Sequence, residues 1–422
     1  MLLKSFLLYL SALVISIGST LAQQLIKDIN PGILSSIPQQ LLTIKNITYF
    51  VASDSEHGQE LWKTDGTKQG TVLIKDLAPG TTGSQIKNLI NLNGVLYFSA
   101  VSTLPNHEKR QLWRSDGTES GTLELPDGHK DGEVYDVLSL TRVGDALFYV
   151  KRSALGGNDY WMLYKAQANS QETNAIYTFP AFDQTPPRLG QANGILYIAY
   201  KNDLYKANPL SGSQVPVLVK AGAGGYNLAS YQNALYFTSG FLASELWVSQ
   251  GTEATTKKIF GPGKGQITTL KQAGEYLFFT TGQDGKELWV SKGDAATTHL
   301  LQSFAFSPTN ITSIFSDFTI MGRTPVYFTV SQDGKLYYTL GGQVSTATGT
   351  FTGPLQNLIS LQNTLYFTAS NGLYRIEGGI NKTVPVISTQ SPISNLAALG
   401  DALFFASNAI FGLGTELYRI NP

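Results

Sequence analysis

Short apolar runs rich in aromatic residues recur along nearly the whole chain, and polar, glycine-containing segments separate them. The runs have the length and composition of β-strands, and the periodicity of an amphipathic helix is missing throughout. Nine runs of one type follow each other at intervals of 38 to 51 residues, starting at Ile47, Val95, Ala146, Ile195, Ala234, Tyr276, Pro325, Thr364 and Ala402. Repeats of this length indicate an array of similar structural units.

A second type of run keeps pace with the first and places a leucine before an aromatic residue, at Leu61, Leu112, Leu163, Leu204, Leu246, Leu288, Leu336, Leu373 and Leu417. The unit at residues 85–125 shows four strand-sized runs, namely Gln85–Leu92, Val95–Val101, Gln111–Ser115 and Thr122–Leu125. The intervening Asn93-Gly94 suits a tight hairpin turn. A four-stranded antiparallel meander repeated around a circle is a propeller blade, so the sequence predicts an all-β chain that forms one β-propeller.

The two ends of the chain predict how the ring closes. The last unit, Ile393–Ile420, contains three strands, and the segment Gln24–Gly32 closely matches the fourth strand and exit of the first unit, Val72–Gly80. We therefore expect the N-terminal strand to complete the last blade, which removes free sheet edges. The pattern then gives nine blades. Eight blades, with one degenerate unit as an insertion, is the alternative, because propellers usually have four to eight.

Three segments share a specific motif. Residues 60–71 read ELWKTDGTKQGT, residues 111–122 read QLWRSDGTESGT, and residues 245–252 read ELWVSQGT. They resemble the ELWxxDGT repeat of secreted bacterial proteins, common in Bacteroidetes. The resemblance implies a secreted or surface propeller and assigns no reaction. Many relatives carry a C-terminal sorting module, whereas this sequence ends on a strand. We expect a secreted or periplasmic location, with association to the cell surface left open.

The first residues predict export. Lys4 supplies a positive charge, Phe6–Ile17 is apolar, and Ser19–Ala22 offers small residues for cleavage before Gln23. We predict a signal peptide at residues 1–22 and a single propeller domain at residues 23–422. An uncleaved anchor is the alternative, but the apolar core is shorter than the roughly 20 residues of a membrane span, and no later segment is long and apolar enough.

Composition narrows the classes of function. Thirty basic residues balance thirty acidic ones without any block of like charge, which argues against nucleic acid as a partner. The chain has no cysteine, so disulfides, thiolate metal sites and cysteine nucleophiles are excluded. No motif for a phosphate, a dinucleotide or a serine nucleophile is present, and we predict no catalytic residue, no metal and no cofactor. We expect a monomer.

Two features of the repeat have both a functional and a structural interpretation. The Asp-Gly-Thr segments at residues 65–67 and 116–118 offer carboxylates for a metal, but Asp followed by Gly is typical of a turn, which we favour. Four tryptophans could form a stacking platform for sugars. Because they occupy one repeat position beside a leucine, we expect them to pack between blades instead; they are Trp62, Trp113, Trp247 and Trp289.

The candidate binding residues are Glu56, His57, His107 and Glu108. They fall in loops between the second and third strands of the first two blades, on the face where ligands of propellers usually bind because variable loops lie on a rigid scaffold. They could make polar contacts or a weak metal contact, and ordinary solvated loop residues are the structural alternative.

Two hypotheses for function remain. The first is an exported, non-enzymatic binding or scaffold protein that presents propeller loops to a protein or glycan ligand. The alternative is a carbohydrate-active hydrolase or lyase that uses two carboxylates in the channel, roughly 5–10 Å apart. Carboxylates on different blades would leave no local motif, so the composition of the channel wall distinguishes the hypotheses.

Overall fold

The computed structural model describes residues 23–101, 110–126, 137–155, 158–180, 184–208, 215–261, 265–313, 323–349, 351, 353–370, 372–377, 379–388, 391–408 and 414–421. The predicted signal peptide, residues 1–22, lies outside them. The described residues form nine four-stranded antiparallel sheets arranged in a ring, a nine-bladed β-propeller. The predicted fold is confirmed, and the count is nine rather than eight.

The first strand along the chain, β1 (Gln24–Lys27), belongs to the last blade. Blade 1 contains β2 (Gln39–Ile44), β3 (Ile47–Asp54), β4 (Gly58–Thr64) and β5 (Val72–Lys75). Blade 2 contains β6 (Lys87–Leu92), β7 (Val95–Ala100), β8 (Gln111–Ser115) and β9 (Leu123–Glu124). Blade 3 contains β10 (Leu138–Val143), β11 (Ala146–Leu155), β12 (Asn158–Gln167) and β13 (Thr173–Thr178).

Blade 4 contains β14 (Arg188–Ala192), β15 (Ile195–Tyr200), β16 (Asp203–Ala207) and β17 (Val217–Lys220). Blade 5 contains β18 (Ala229–Tyr231), β19 (Ala234–Ser239), β20 (Glu245–Ser249) and β21 (Lys257–Phe260), and a 3₁₀ turn, Phe241–Ala243, joins β19 to β20. Blade 6 contains β22 (Thr269–Ala273), β23 (Tyr276–Thr281), β24 (Glu287–Ser291) and β25 (His299–Ser303), and a matching 3₁₀ turn, Gln283–Gly285, joins β23 to β24.

Blade 7 contains β26 (Pro308–Ser313), β27 (Val326–Val330), β28 (Leu336–Thr339) and β29 (Val344–Thr346). Blade 8 contains β30 (Gln356–Leu361), β31 (Thr364–Ala369), β32 (Gly372–Ile376) and β33 (Thr383–Ser388). Blade 9 contains β34 (Ile393–Leu399), β35 (Ala402–Ser407), β36 (Glu416–Ile420) and β1. The first strands of neighbouring blades lie against one another at eight of the nine junctions, including that of blades 9 and 1, and at the ninth Arg142 of β10 donates a hydrogen bond to Asn91 O of β6. We call these nine first strands the inner strands.

The ring closes through the N-terminal strand, as the sequence predicts. Strand β1 pairs antiparallel with β36, with Gln24 opposite Arg419 and Leu25 opposite Tyr418. Behind this pairing, the buried side chain of Ile26 packs in one cluster with Phe404 of blade 9 and Phe50 of blade 1. The ends of the described chain therefore lie side by side within one sheet.

The hydrophobic core is divided into nine clusters, and each joins two neighbouring blades. Aromatic residues of the second and third strands dominate these clusters, because successive residues of a strand point to opposite faces and each blade has a neighbour on both. The predicted role of the tryptophans is confirmed: they lie between blades, with Trp62, Trp113 and Trp289 buried and Trp247 partly buried.

The connections lie on two faces of the ring. Loops that join the second strand to the third, and the fourth strand to the next blade, share one face, which we call the loop face. In blade 1 the two kinds of loop touch there, since Ser84 N–H donates to Gln59 O at 3.0 Å. Gly58 is required at this contact: its φ is +69°, and a Cβ atom would lie 2.6 Å from the backbone oxygen of Thr81. The hairpin turns occupy the opposite, turn face.

The Asp-Gly-Thr segments are turns, as expected. Asp65 Oδ1 accepts hydrogen bonds from Thr67 N–H at 2.9 Å and Thr67 Oγ1 at 2.7 Å, and these bonds hold the pKa of Asp65 below its usual value. Behind the turn, the buried hydroxyls of Thr64 and Thr71 are 2.7 Å apart, and Gly66 N–H donates to Thr64 Oγ1. The same hydroxyl pair recurs as Ser115 with Thr122, Ser249 with Thr256 and Ser291 with Thr298.

Replacing Thr64 with Val should lower the free energy of unfolding by about 1–3 kcal/mol, because Gly66 N–H and the Thr71 hydroxyl would lose a buried partner. Urea unfolding followed by tryptophan fluorescence measures this change. Thr64→Ser should restore most of the loss, since serine occupies this position in blade 2. An unchanged midpoint for Thr64→Val would show that the hydroxyl pair does not stabilise the turn.

Candidate functional site

Two of the four predicted binding residues lie in the turn between β3 and β4 on the loop face. Asp54 organises this turn: its Oδ1 accepts hydrogen bonds from Glu56 N–H at 2.9 Å and His57 N–H at 2.6 Å. Nδ1 of His57 lies 3.0 and 2.9 Å from the two carboxylate oxygens of Asp54. The other two predicted residues, His107 and Glu108, lie outside the described residues.

Electrostatics in this turn favour a charged histidine. The hydrogen bond that the His57 ring donates to the Asp54 carboxylate raises the pKa of His57. Burial opposes ionisation of Asp54, but its hydrogen bonds with the His57 side chain and with the backbone outweigh burial and lower the pKa of Asp54. The side chain of His57 is 32% exposed. No group of three potential metal ligands occurs among the residues that the structure describes. The turn thus places an imidazole with a raised pKa beside the exposed Glu56, and the binding role of both residues stays a prediction.

A second site lies on the loop face at the inner ends of blades 3 to 6. It is an open pocket of about 770 Å³, within the range of about 300–1,000 Å³ common for small-molecule sites. The lining residues come from inner strands, from the loops that precede them and from the 3₁₀ turn of blade 5: Ser139, Arg188, Leu189, Tyr226, Asn227, Leu228, Leu242, Ala243, Gln266, Ile267 and Thr268. We call it the mouth pocket.

Hydrogen bonds between blades hold the walls of the mouth pocket. Asn227 Nδ2 donates to Ile267 O at 3.1 Å, and Ile267 N–H donates to Ala243 O at 3.1 Å. On the opposite wall, Ser139 Oγ donates to Pro187 O at 3.1 Å. Blades 3 and 4 are thus joined at one wall, and blades 5 and 6 at the other. A ligand that enters finds walls already ordered, which lowers the entropic cost of binding.

Arg188 and Tyr226 contact each other in the lining of the pocket. The guanidinium carbon of Arg188 lies 4.6 Å from the centroid of the Tyr226 ring, in cation–π geometry. Tyr226 is 45% exposed, and Arg188 is the one charged residue of the lining. The arrangement offers a planar cation and an aromatic ring to solvent.

The inner strands that bound the channel contain no Asp or Glu, and all nine are described. Their charged residues are Lys87, Arg142, Arg188 and Lys271. The charged residues of the inner strands are therefore all basic, although the whole chain has a formal net charge of zero. The paired carboxylates of the enzyme hypothesis do not come from these strands.

Sequence reasoning did not find the mouth pocket. Arg188 and Tyr226 are 38 residues apart and belong to blades 4 and 5, so no local motif contains both. The usable signal was the repeat itself: each residue lies at or just before the start of an inner strand. Aligning the nine units at that position would have placed the two side chains on the loop face at neighbouring blades.

No protein-family model matches the chain, and no curated protein sequence matches it. Solved structures do resemble it. The computationally designed protein Ika8 covers 95% of this chain and 100% of its own, with a TM-score of 0.49 and 12% identity. BamB from Moraxella catarrhalis covers 85% of this chain and 99% of its own, with a TM-score of 0.45 and 15% identity.

A structure from a study of two prolyl endopeptidases covers 79% of this chain but 54% of its own, with a TM-score of 0.49 and 13% identity. This chain thus spans about half of that protein. Likeness at such identities concerns architecture and carries no information on function. In the part of the chain that the structure describes, no helix has the length and apolar character needed to cross a bilayer. The fold defines a β-propeller protein.

Proposed function

We propose that the mature chain is an exported binding protein, without catalytic activity of its own, that holds a ligand in the mouth pocket. The mouth pocket carries the proposal: an ordered concave site on the loop face in which an aromatic ring and a guanidinium are open to solvent. Sites of this kind bind ligands through a few placed polar groups on a rigid scaffold. A protein or a glycan is the proposed partner, with a secreted or periplasmic location, as the ELWxxDGT resemblance and the predicted signal peptide suggest.

The composition of the channel wall supports binding over glycoside cleavage. Hydrolysis of a glycosidic bond ordinarily needs two carboxyl groups on opposite sides of the bond. The inner strands supply amides, hydroxyls, apolar side chains and four basic residues, but no carboxylate. The described inner strands therefore offer basic groups to an anionic ligand and no carboxyl pair for hydrolysis.

Filling the mouth pocket should abolish ligand binding. Gln266 is exposed and lines the pocket, so Gln266→Trp would occupy it without disturbing the core. We expect residues 23–422 to bind a subset of glycans on an array, and the Gln266→Trp variant to lose at least tenfold in affinity for them. Ala254, exposed in the turn after β20 on the opposite face, supplies the matched control Ala254→Trp, which should bind normally.

Two results would contradict the proposal. Equal binding by the Gln266→Trp variant would move the site away from the mouth pocket. Release of reducing ends or unsaturated products from a bound glycan, measured over hours with purified protein, would show catalysis and favour the hydrolase or lyase alternative.

A further inference from the structure

The guanidinium of Arg188 stacks on an aromatic ring. Among the described residues it makes no ion pair and no hydrogen bond, although it is half-buried and lies over the ring of Tyr226. Stacking fixes the plane of a guanidinium and leaves the N–H groups along its edge free to donate. A guanidinium held in this way is suited to a carboxylate, because two parallel N–H groups match the two carboxylate oxygens.

Positive charge extends beyond Arg188 along the channel. Lys87 begins the inner strand of blade 2 and Lys271 lies in that of blade 6, both with exposed side chains and without a carboxylate on any inner strand. A concave, low-dielectric wall that carries one sign of charge concentrates counter-ions near it. An anionic ligand is thus favoured before it makes any contact.

A comparison of two blades identifies an apolar contact in the pocket. The 3₁₀ turns of blades 5 and 6 have the same shape, with φ of 55° at Leu242 and 61° at Asp284. At the position where blade 6 has the exposed Asp284, blade 5 has Leu242, which is 64% exposed and lines the pocket. A leucine held in a left-handed conformation is strained, and strain of this kind concentrates at ligand sites. It offers an apolar surface in the pocket that also contains the guanidinium.

The shape of the loop face limits what can enter. The hairpin of β11 and β12 in blade 3 has ten residue pairs, whereas the hairpins of blades 2, 4, 5 and 6 have five. Strand β11 is four residues longer than β7, β15, β19 and β23, which adds about 13 Å at the loop face of blade 3, the blade that contributes Ser139 to the pocket. The residues that line the pocket lie at the inner strands, below these loops. A narrow chain can reach them more readily than the convex surface of a folded protein can.

We propose that the mouth pocket binds a carboxylate-bearing oligosaccharide of the uronate class, with Arg188 pairing the sugar carboxylate and Leu242 contacting the apolar face of a sugar ring. The amide of Gln266 and the exposed Tyr226 complete the contacts that a hydroxylated ring requires. This inference rests on the proposed binding function and adds the class of ligand. It differs from a general anion site in requiring the ring as well as the charge.

Calorimetric titration of residues 23–422 with matched trisaccharides tests the inference. The probes are galacturonate, glucuronate, mannuronate and guluronate trisaccharides, each with its neutral counterpart of the same linkage. We expect at least one uronate to bind tenfold or more tightly than its neutral counterpart, and the difference to decrease at high salt. Arg188→Gln should remove this preference, so that the uronate and its neutral counterpart bind the variant with equal affinity.

Two further variants separate the carboxylate contact from the general field. Lys271→Gln removes one charge from the channel wall outside the pocket lining, so it should change uronate affinity less than twofold. Leu242→Asp reproduces the residue of blade 6 and should weaken the uronate more than the neutral sugar. Urea midpoints equal to that of the unmodified protein verify that each variant is folded.

The possible results distinguish the uronate inference from the binding function on which it rests. Equal affinity for acidic and neutral sugars, or full uronate binding by the Arg188→Gln variant, overturns the uronate inference and leaves the binding function in place. Equally tight binding of an oligoglutamate peptide of the same charge also overturns it, because the ring would then be irrelevant. If none of the uronates binds while another glycan on the array does, the ligand class is wrong but the pocket function stands.

Discussion

A protein that begins at Pro31 should lose its cooperative fold, whereas one that begins at Gln23 should keep it. The missing segment contains β1, the strand that pairs with β36, and with it the buried Ile26 and Ile29 between blades 9 and 1. Truncating one buried isoleucine costs about 2–5 kcal/mol. Loss of both, together with a whole strand, therefore approaches the stability of an ordinary domain, about 5–15 kcal/mol.

Near-ultraviolet circular dichroism and urea unfolding measure this effect. The shorter protein should show a broadened transition at lower urea, and a synthetic peptide of residues 23–32 should restore the original transition when added in excess. The same peptide with Ile26→Asp is the matched control and should not restore it. A truncated protein with an unchanged midpoint would show that the ring is stable without its closing strand.

The architecture could be predicted from the sequence because every blade uses the same types of residue at equivalent positions to pack against its neighbours. Leu61 and its counterparts are buried between blades, Asp65 forms a turn, and Thr71 pairs with Thr64. These roles depend on residues close in sequence, so the motif displays them directly. Even the closure of the ring was visible, since β1 carries the sequence of a fourth strand.

The candidate site was less predictable because no comparable pattern defines it. The placement of His57 in a turn on the loop face followed from strand order, but its partner Asp54 is an ordinary turn residue in sequence. The mouth pocket depends on side chains that four different blades contribute at their inner ends. The chemistry of the pocket depends on residues that differ between repeats, such as Leu242. A motif search finds only the residues that the repeats share.

The first residue of the ELW motif illustrates how one position takes several roles. Glu60 is fully buried and binds the loop that leads to blade 2: its carboxylate accepts hydrogen bonds from Ala78 N–H at 3.2 Å and Ser84 Oγ at 2.7 Å. Glu416 binds the loop after β1 in the same way, through Ile29 N–H and Ser36. In blade 5 the equivalent Glu245 accepts from the indole N–H of Trp247 instead.

As the pH rises from about 4.5 to 7, the free energy of unfolding of the unmodified protein should fall relative to that of the Glu60→Gln variant. Burial raises the pKa of Glu60 from 4.5 to about 7, despite its hydrogen bonds. The unfolded chain therefore releases this proton at lower pH than the folded protein. The stabilisation is complete below pH 4.5 and lost as the pH passes the folded pKa, a change of about 3 kcal/mol.

Urea unfolding of both proteins at intervals from pH 4 to pH 8 isolates this contribution, because every other group, Glu416 included, titrates in both and cancels in the difference. Glu245→Gln is the matched control at the same repeat position. Burial opposes ionisation of Glu245, but hydrogen bonds from Trp247 and Lys258 prevail and lower its pKa. The stability of the unmodified protein relative to the Glu245→Gln variant should therefore decrease as the pH falls below 4.5, which is the opposite direction to the effect of Glu60. If the difference in free energy of unfolding between the unmodified protein and the Glu60→Gln variant stays constant from pH 4.5 to 7, water reaches the carboxylate. In that case the loop from Leu77 to Ser84 would not be held by a buried, protonated side chain at acidic pH.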